Sequence, residues 1–102
     1  MAETQTNEKE FGAIVGLMKG EEADATIAAV KRKHPEVDIW DRGTFWQLSA
    51  EEEVYIDLDQ VSEELGEDIS ITEWLVIMCT VVGRMETGYR YFLATSKMPT
   101  LD

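Results

Sequence analysis

Apolar residues fall in short blocks along this chain, and the spacing within the blocks switches between two periods. Phe11-Gly-Ala-Ile-Val-Gly-Leu-Met18 is an apolar run of strand length, and its glycines mark close backbone approach or a bulge. From Glu21 to Lys33 the spacing becomes helical: Ala23, Thr26, Ile27 and Val30 make one narrow stripe. Glu21, Glu22 and Asp24 stand at the positive end of that helix, and Lys31, Arg32 and Lys33 at the negative end. Pro35 stops it, since the residue before a proline resists helical geometry.

Val37 to Trp40 and Thr44 to Ala50 alternate as the two arms of a hairpin turning at Asp41-Arg42-Gly43. Val37 and Ile39 share one face; Trp46, Leu48 and Ala50 share a face of the second arm. A third strand, Val54-Tyr-Ile56, follows the acidic turn Glu51-Glu52-Glu53. Leu58, Val61 and Leu65 then return to helical spacing, with Asp57 or Asp59 as cap and Gly66 suited to the left-handed end. Ser70-Ile-Thr-Glu73 reads as a capping box, with Ile69 and Trp74 as the hydrophobic staple across it. That helix is short, because Val76, Ile77, Thr80, Val81 and Val82 favour a strand, with the change of state near Met78. A strand through Val82 then meets Tyr89 to Thr95 across a turn at Glu86-Thr87-Gly88.

The order is strand, helix, three strands, two helices, two strands. Short connections make most strand pairs antiparallel, so the expected fold is α+β: one compact domain, a mostly antiparallel curved sheet in two small halves, and about three helices. Residues 1–10 read as a flexible acidic tail, 11–95 as the folded domain and 96–102 as a C-terminal tail.

At 102 residues and 44% hydrophobic, the chain is one domain with a modest core. Its formal net charge of −12 repels nucleic-acid phosphates and anionic membranes, and it suits either a basic protein patch or simple solubility. The polar, acidic N-terminal residues are unlike a signal peptide, no apolar stretch is long enough to span a bilayer, and one cysteine forms no intrachain disulfide; a cytoplasmic location is expected.

Candidate chemistry is sparse. His34 is the sole histidine, beside a basic helix end, and reads as an exposed loop residue. Cys79 lacks a CxxC partner and, within an apolar run, reads as a small buried thiol. One cysteine and one histidine do not make the usual four-ligand zinc site. Asp57-Leu-Asp59 begins like a calcium loop, but Val61 stands where an oxygen ligand belongs and Ser62 where glycine is needed. Glu51-Glu52-Glu53 and Glu63-Glu64 read as solvated carboxylates. Gly12-Ala-Ile-Val-Gly16 lacks the lysine and helix start of a phosphate loop. The shortage of candidates argues against an enzyme.

The order of elements, with Asp41-Arg42, Trp46, Ala50, Asp57, Leu65-Gly66, the capped helix from Ser70 and Val82-Gly83-Arg84, resembles the coupling (effector) proteins of soluble di-iron monooxygenases. This family includes methane monooxygenase component B and the phenol and toluene monooxygenase effectors; the aromatic pair Phe45-Trp46 and the Gly83-Arg84 step are most similar to the methane type. The resemblance implies a protein without metal or organic cofactor that binds the di-iron hydroxylase. Binding would tune substrate access and couple oxygen activation to oxidation, with a reductase or ferredoxin that carries electrons from NADH competing for the docking surface. It implies a docking segment of Cys79, Thr80, Val81, Val82, Gly83 and Arg84, with Arg42 and Trp40 as further contacts. In relatives that segment is rich in small hydroxylated residues; Thr80 keeps the pattern, while Cys79 and Val81 depart from it. Glu51-Glu52 departs from an Asn-Gly or Glu-Gly turn, and the tail is shorter than in the methane type.

For Arg42, a turn-stabilising pair with Asp41 or another acid competes with a contact role, and Trp46 and Trp74 read first as core. Two other functions stay open on the residues alone: a generic acidic interaction domain with an unrelated partner, and a small acid/base enzyme using Glu73, whose capping role already accounts for it.

Overall fold

The computed structural model describes residues 12–96; the tail assigned to 1–10, Phe11 at the head of the first apolar run, and all but Ser96 of the tail assigned to 96–102 lie outside the described residues. Ten elements follow in order: β1 Ala13–Met18, α1 Glu21–Lys33, β2 Asp38–Asp41, β3 Phe45–Ala50, β4 Glu53–Asp57, α2 Leu58–Leu65, α3 Ile71–Leu75, β5 Met78–Val82, β6 Arg84–Thr87 and β7 Tyr91–Thr95. The strands form two sheets, ordered β2-β3-β1-β5 and β4-β7-β6, with every pair antiparallel. The α+β class and the division into two small halves are as the pattern predicts.

Local chemistry sets the helix ends. The Asp57 carboxylate accepts from the Asp59 amide at the start of α2, and Gly66 ends it in the left-handed region at φ 87°. At Ser70 both halves of the capping box form: the hydroxyl accepts from the Glu73 amide at 3.2 Å, and the Glu73 carboxylate accepts from the Ser70 amide at 3.0 Å. The buried face of α1 is broader than the predicted stripe, because Ala25 and Ala29 are also buried while Ile27 is only half-buried. Alanines let the helix approach the strands closely, which widens the contact.

The core lies between the helices and one face of each sheet. Val15, Leu17 and Leu48 from the first sheet, Val54, Ile56, Phe92 and Ala94 from the second, and Val30, Leu58 and Val61 from the helices join one cluster. Trp74 sits in it, fully buried. Its indole donates from Nε1 to Thr26 Oγ1 at 3.0 Å, and its ring meets Phe92 at a centroid distance of 4.9 Å. Thr26 Oγ1 in turn donates to the Glu22 carbonyl, so the buried polar atoms satisfy one another. Arg90 clamps the α2–α3 loop onto the second sheet, reaching Asp59, Asp68, the Ser62 hydroxyl and the Ile69 carbonyl. Hydrogen bonding to Asp59 holds its guanidinium pKa above the ordinary range, against partial desolvation.

One departure from the expected order shapes the rest. The last part of the chain holds three strands, not two, because the run through Val82 breaks at Gly83. β5 pairs with β1 in the first sheet, and β6 pairs with β7 in the second. Gly83 has φ 112°, and a Cβ there would lie 2.8 Å from the Thr95 carbonyl oxygen, so both its conformation and its surroundings demand glycine. The hairpin turn accordingly falls after Thr87, with the Gly88 amide donating to the Tyr91 carbonyl, rather than at residues 86–88.

Ser70→Ala should lower stability by about 1 kcal/mol, the usual loss for a capping hydroxyl. Trp74→Ala should cost about 3–5 kcal/mol, because it opens a cavity and orphans Thr26. Urea denaturation of both variants checks the order; equal losses would mean that Trp74 is not the organising residue of the core.

Candidate functional site

Antiparallel partners point to the same side of a sheet, so register assigns the faces of the first sheet. Trp40 faces Gln47, Gln47 faces Gly16, and Gly16 faces Thr80, giving one row across all four strands. The next row holds Asp38, Ser49, Ile14 and Val82, and the Met18–Phe45 pair lies on the same side. This is the face opposite Val15, Leu17 and Leu48, and hence opposite the core. Three large apolar side chains are exposed on it: Met18 at 46%, Trp40 at 46% and Val82 at 49%. Ile14 and Phe45 beside them are half-buried. A partly apolar outer face on a chain this acidic is the arrangement expected of a protein-binding surface.

Gly16 makes the centre of the face flat. A Cβ there would collide with the Thr80 methyl and lie 3.1 Å from the Phe45 ring, so these two side chains close over the glycine. The β1–β5 register also shifts between Gly16 and Leu17, because Gly16 pairs with Thr80 while Leu17 pairs with Met78. Cys79 is the residue left over. It is therefore exposed at a bulge on an edge strand, which corrects the expectation of a buried thiol. An apolar neighbourhood in sequence misled here, because an edge strand leaves its bulge facing solvent.

The sequence-derived site residues separate into groups. Thr80 and Val82 lie on the outer face with Trp40, and Arg42 reaches onto it from the hairpin tip. The Arg42 Nε donates to Gln47 Oε1 at 3.0 Å, and its guanidinium lies 5.4 Å from the Trp40 ring centre. Of the two alternatives for Arg42, the pair with Asp41 is not the one made; Asp41 accepts from Lys19 Nζ at 2.7 Å and from the Gly43 amide at 2.9 Å. Val81 belongs to the core side, half-buried against the cluster. Gly83 is the strand junction, and Arg84 begins the exposed edge of the second sheet, 3.6 Å from the Glu86 carboxylate. Sequence reasoning missed Ile14, Gly16, Met18, Phe45 and Gln47. The available signal was parity: Phe45 and Gln47 alternate with the inward Trp46 and Leu48.

Lys19 bridges the tip of the hairpin, with its ammonium on Asp41 and 4.7 Å from the Trp46 ring centre. This hydrogen bond, supported by the Gly43 amide, holds the Asp41 pKa below its ordinary value of 3.8. Tyr55 shifts the other way: burial raises its phenol pKa above 10.0, with the nearby Asp57 adding to the effect. Half-exposed His34 stands edge-on to Tyr55 and 3.6 Å from Glu36, away from any nucleophile arrangement. Among the described residues no group of three His, Cys, Asp or Glu side chains is placed to hold a metal ion. Glu51, Glu52 and Glu53 are exposed, and Glu64 pairs with Arg32 across α1 and α2. No helix among the described residues is long and apolar enough to cross a membrane.

The sequence model of the MmoB/DmpM family matches residues 13–94. The chain is 30% identical to methane monooxygenase regulatory protein B of Methylosinus trichosporium, over 98% of this chain and 76% of that protein. It is 27% identical to the protein of the same name from Methylococcus capsulatus, over 98% of this chain and 75% of that one. Its fold is similar to that of a chain in the phenol hydroxylase–regulatory protein complex, with a TM-score of 0.73 at 17% identity over 81% of this chain and 95% of the other. The structure of soluble methane monooxygenase regulatory protein B is similar with a TM-score of 0.66 at 27% identity, over 87% of this chain and 68% of the other.

The Lys19–Asp41 contact has a checkable sign. With its folded-state pKa depressed, Asp41 adds stability above its ordinary pKa, and that addition disappears as pH falls through the folded value. Lys19→Met should raise the Asp41 titration midpoint, followed by carboxyl NMR, toward its ordinary value of 3.8. An unmoved midpoint would assign the depression to the Gly43 amide alone.

Proposed function

Because the chain belongs to the MmoB/DmpM family, we propose that it is a non-catalytic regulatory protein that binds the hydroxylase of a multicomponent di-iron hydrocarbon monooxygenase. The observation that carries this reading is the family match across residues 13–94, together with an exposed, partly apolar sheet face on a strongly acidic chain. In this reading residues 11–95 act as the effector domain in the cytoplasm, and the iron and the bond-making belong to the partner.

Docking uses the outer face and the edge beside it. Trp40, Arg42, Thr80 and Val82 meet the hydroxylase directly. Cys79, Gly83 and Arg84 line the neighbouring edge, and Val81 supports them from beneath. The apolar side chains supply affinity by leaving water, and the flat centre over Gly16 lets a helical surface approach. An effector changes its partner only by binding one of its conformations better than another. A tenfold preference corresponds to about 1.4 kcal/mol, well within what a few buried side chains supply. Through that preference the protein tunes oxygen activation and substrate access and couples NADH use to oxidation. A reductase or ferredoxin that uses the same hydroxylase surface competes with it.

Reconstitution tests this. Hydroxylase and reductase from the source cell should oxidise substrate faster, and with less peroxide per NADH, when this protein is added. Thr80→Arg and Val82→Asp should each raise the concentration for half-maximal stimulation by about tenfold or more, since each puts an unpaired charge into the contact. An unchanged rate and unchanged coupling at saturating wild-type protein would reject the proposal. Oxidation by the purified chain alone would do so as well.

A further inference from the structure

Where β2 begins and β3 ends, the outer face runs into an acidic cavity of about 610 Å³, lined by Glu36, Asp38, Ser49, Glu51, Glu52 and Glu53. Its carboxylates alone would be a solvated acidic turn. Ser49 makes it different. This residue is 1% exposed, and its Oγ has no hydrogen-bond partner among the described residues. Buried hydroxyls are almost always satisfied, so an unmet one at the wall of a cavity is a group that a water or a ligand can complete. Ser49 pairs with Asp38 across the strands, so the two side chains share the face that carries Trp40 and Gln47. The cavity is therefore continuous with the apolar docking face.

A group that completes Ser49 here is cationic, since the Glu36, Asp38, Glu51 and Glu53 carboxylates line the same cavity. A metal ion does not suit the site, because no three ligating side chains among the described residues converge on one point. The acids are spread along a turn and a strand edge. A planar guanidinium, with five N–H donors in a fixed fork, bridges such separated acceptors in a way that a point charge does not. Resting on the proposed function above, we infer that this cavity is the anchor site for an arginine side chain of the hydroxylase, whose guanidinium donates to Ser49 Oγ and to the carboxylates of Asp38 and its neighbours. The apolar face then supplies most of the contact area, and the arginine fixes orientation.

A cation of the chain itself is the alternative occupant. Ser96 donates from its amide to the Glu52 carbonyl at 2.8 Å and from Oγ to the Glu51 carbonyl at 3.1 Å, and Lys97 follows in sequence. The test must separate the two. The full chain, labelled with nitrogen-15, is titrated by NMR with arginine amide, lysine amide and magnesium chloride. Saturable shifts confined to residues 36–38 and 49–53 are expected with arginine amide. Its binding should be about fivefold weaker in both Asp38→Asn and Ser49→Ala, and lysine amide should bind less tightly than arginine amide. Shifts spread over the whole acidic surface would overturn the inference. So would equal binding of magnesium at these residues, or arginine binding that appears only after deletion of residues 97–102.

The hydroxylase provides the second readout. Asp38→Asn should raise the concentration for half-maximal stimulation by about tenfold. A hydroxylase stimulated equally by wild type and Asp38→Asn would remove the anchor and leave the proposed function standing. A hydroxylase indifferent to wild type would remove the proposed function, and the arginine-amide titration would still decide the cavity.

Discussion

The buried indole of Trp74 is the contact on which the arrangement of the two sheets depends. One side chain ties two other elements to its own helix. Its ring packs on Phe92 of the second sheet, its N–H is held by Thr26 of α1, and its own helix α3 leads directly into the edge strand β5. A tryptophan is large enough to span such a junction, but its N–H must find a partner when dry. Thr26 supplies that partner and donates its own hydrogen to a helix carbonyl, so neither polar atom of this buried pair is left unmet.

With the core closed on one side, the first sheet is left with an outer face that the domain does not use. Its central strand β1 alternates Ala13, Val15 and Leu17 inward with Ile14, Gly16 and Met18 outward, which is why the run reads as continuously apolar. Apolar outward positions are unfavourable for an isolated monomer and favourable for one that spends its working life against a partner. The edges carry the same mark. β5 and β6 are the edges of their respective sheets, and from Cys79 to Thr87 only Val81 is not exposed. A bulge at Cys79 and the break at Gly83 interrupt this edge, features that discourage pairing with another strand.

Electrostatics then divides the outer face. At the hairpin tip Arg42 is held by Gln47, so its charge is positioned rather than free. At the opposite end the carboxylates of Asp38, Glu51 and Glu53 gather around the buried Ser49 hydroxyl. A surface with an apolar middle and differently charged ends has a direction, and a partner can dock on it in one orientation.

Wherever the cause was local, the sequence by itself determined the outcome. The limits of α1, the capping box at Ser70, the left-handed stop at Gly66, the arms of the first hairpin and the change to strand at Met78 follow from neighbours within a few residues, where capping, spacing and turn chemistry act. The family resemblance was legible for the same reason, since it rests on an ordered string of such local features. Tertiary structure decided the rest. The passage of the chain from β5 in one sheet to β6 in the other turns on Gly83, which the Thr95 carbonyl crowds, a contact 12 residues away that no local pattern encodes. The exposure of Cys79 depended on an edge position and a register shift against β1. The gathering of Trp40, Arg42, Thr80 and Val82 on one face depended on strand order, because β2 and β5 lie far apart in the chain and meet only through β3 and β1. Periodicity gives the two sides of a strand, and only packing chooses which of them meets water.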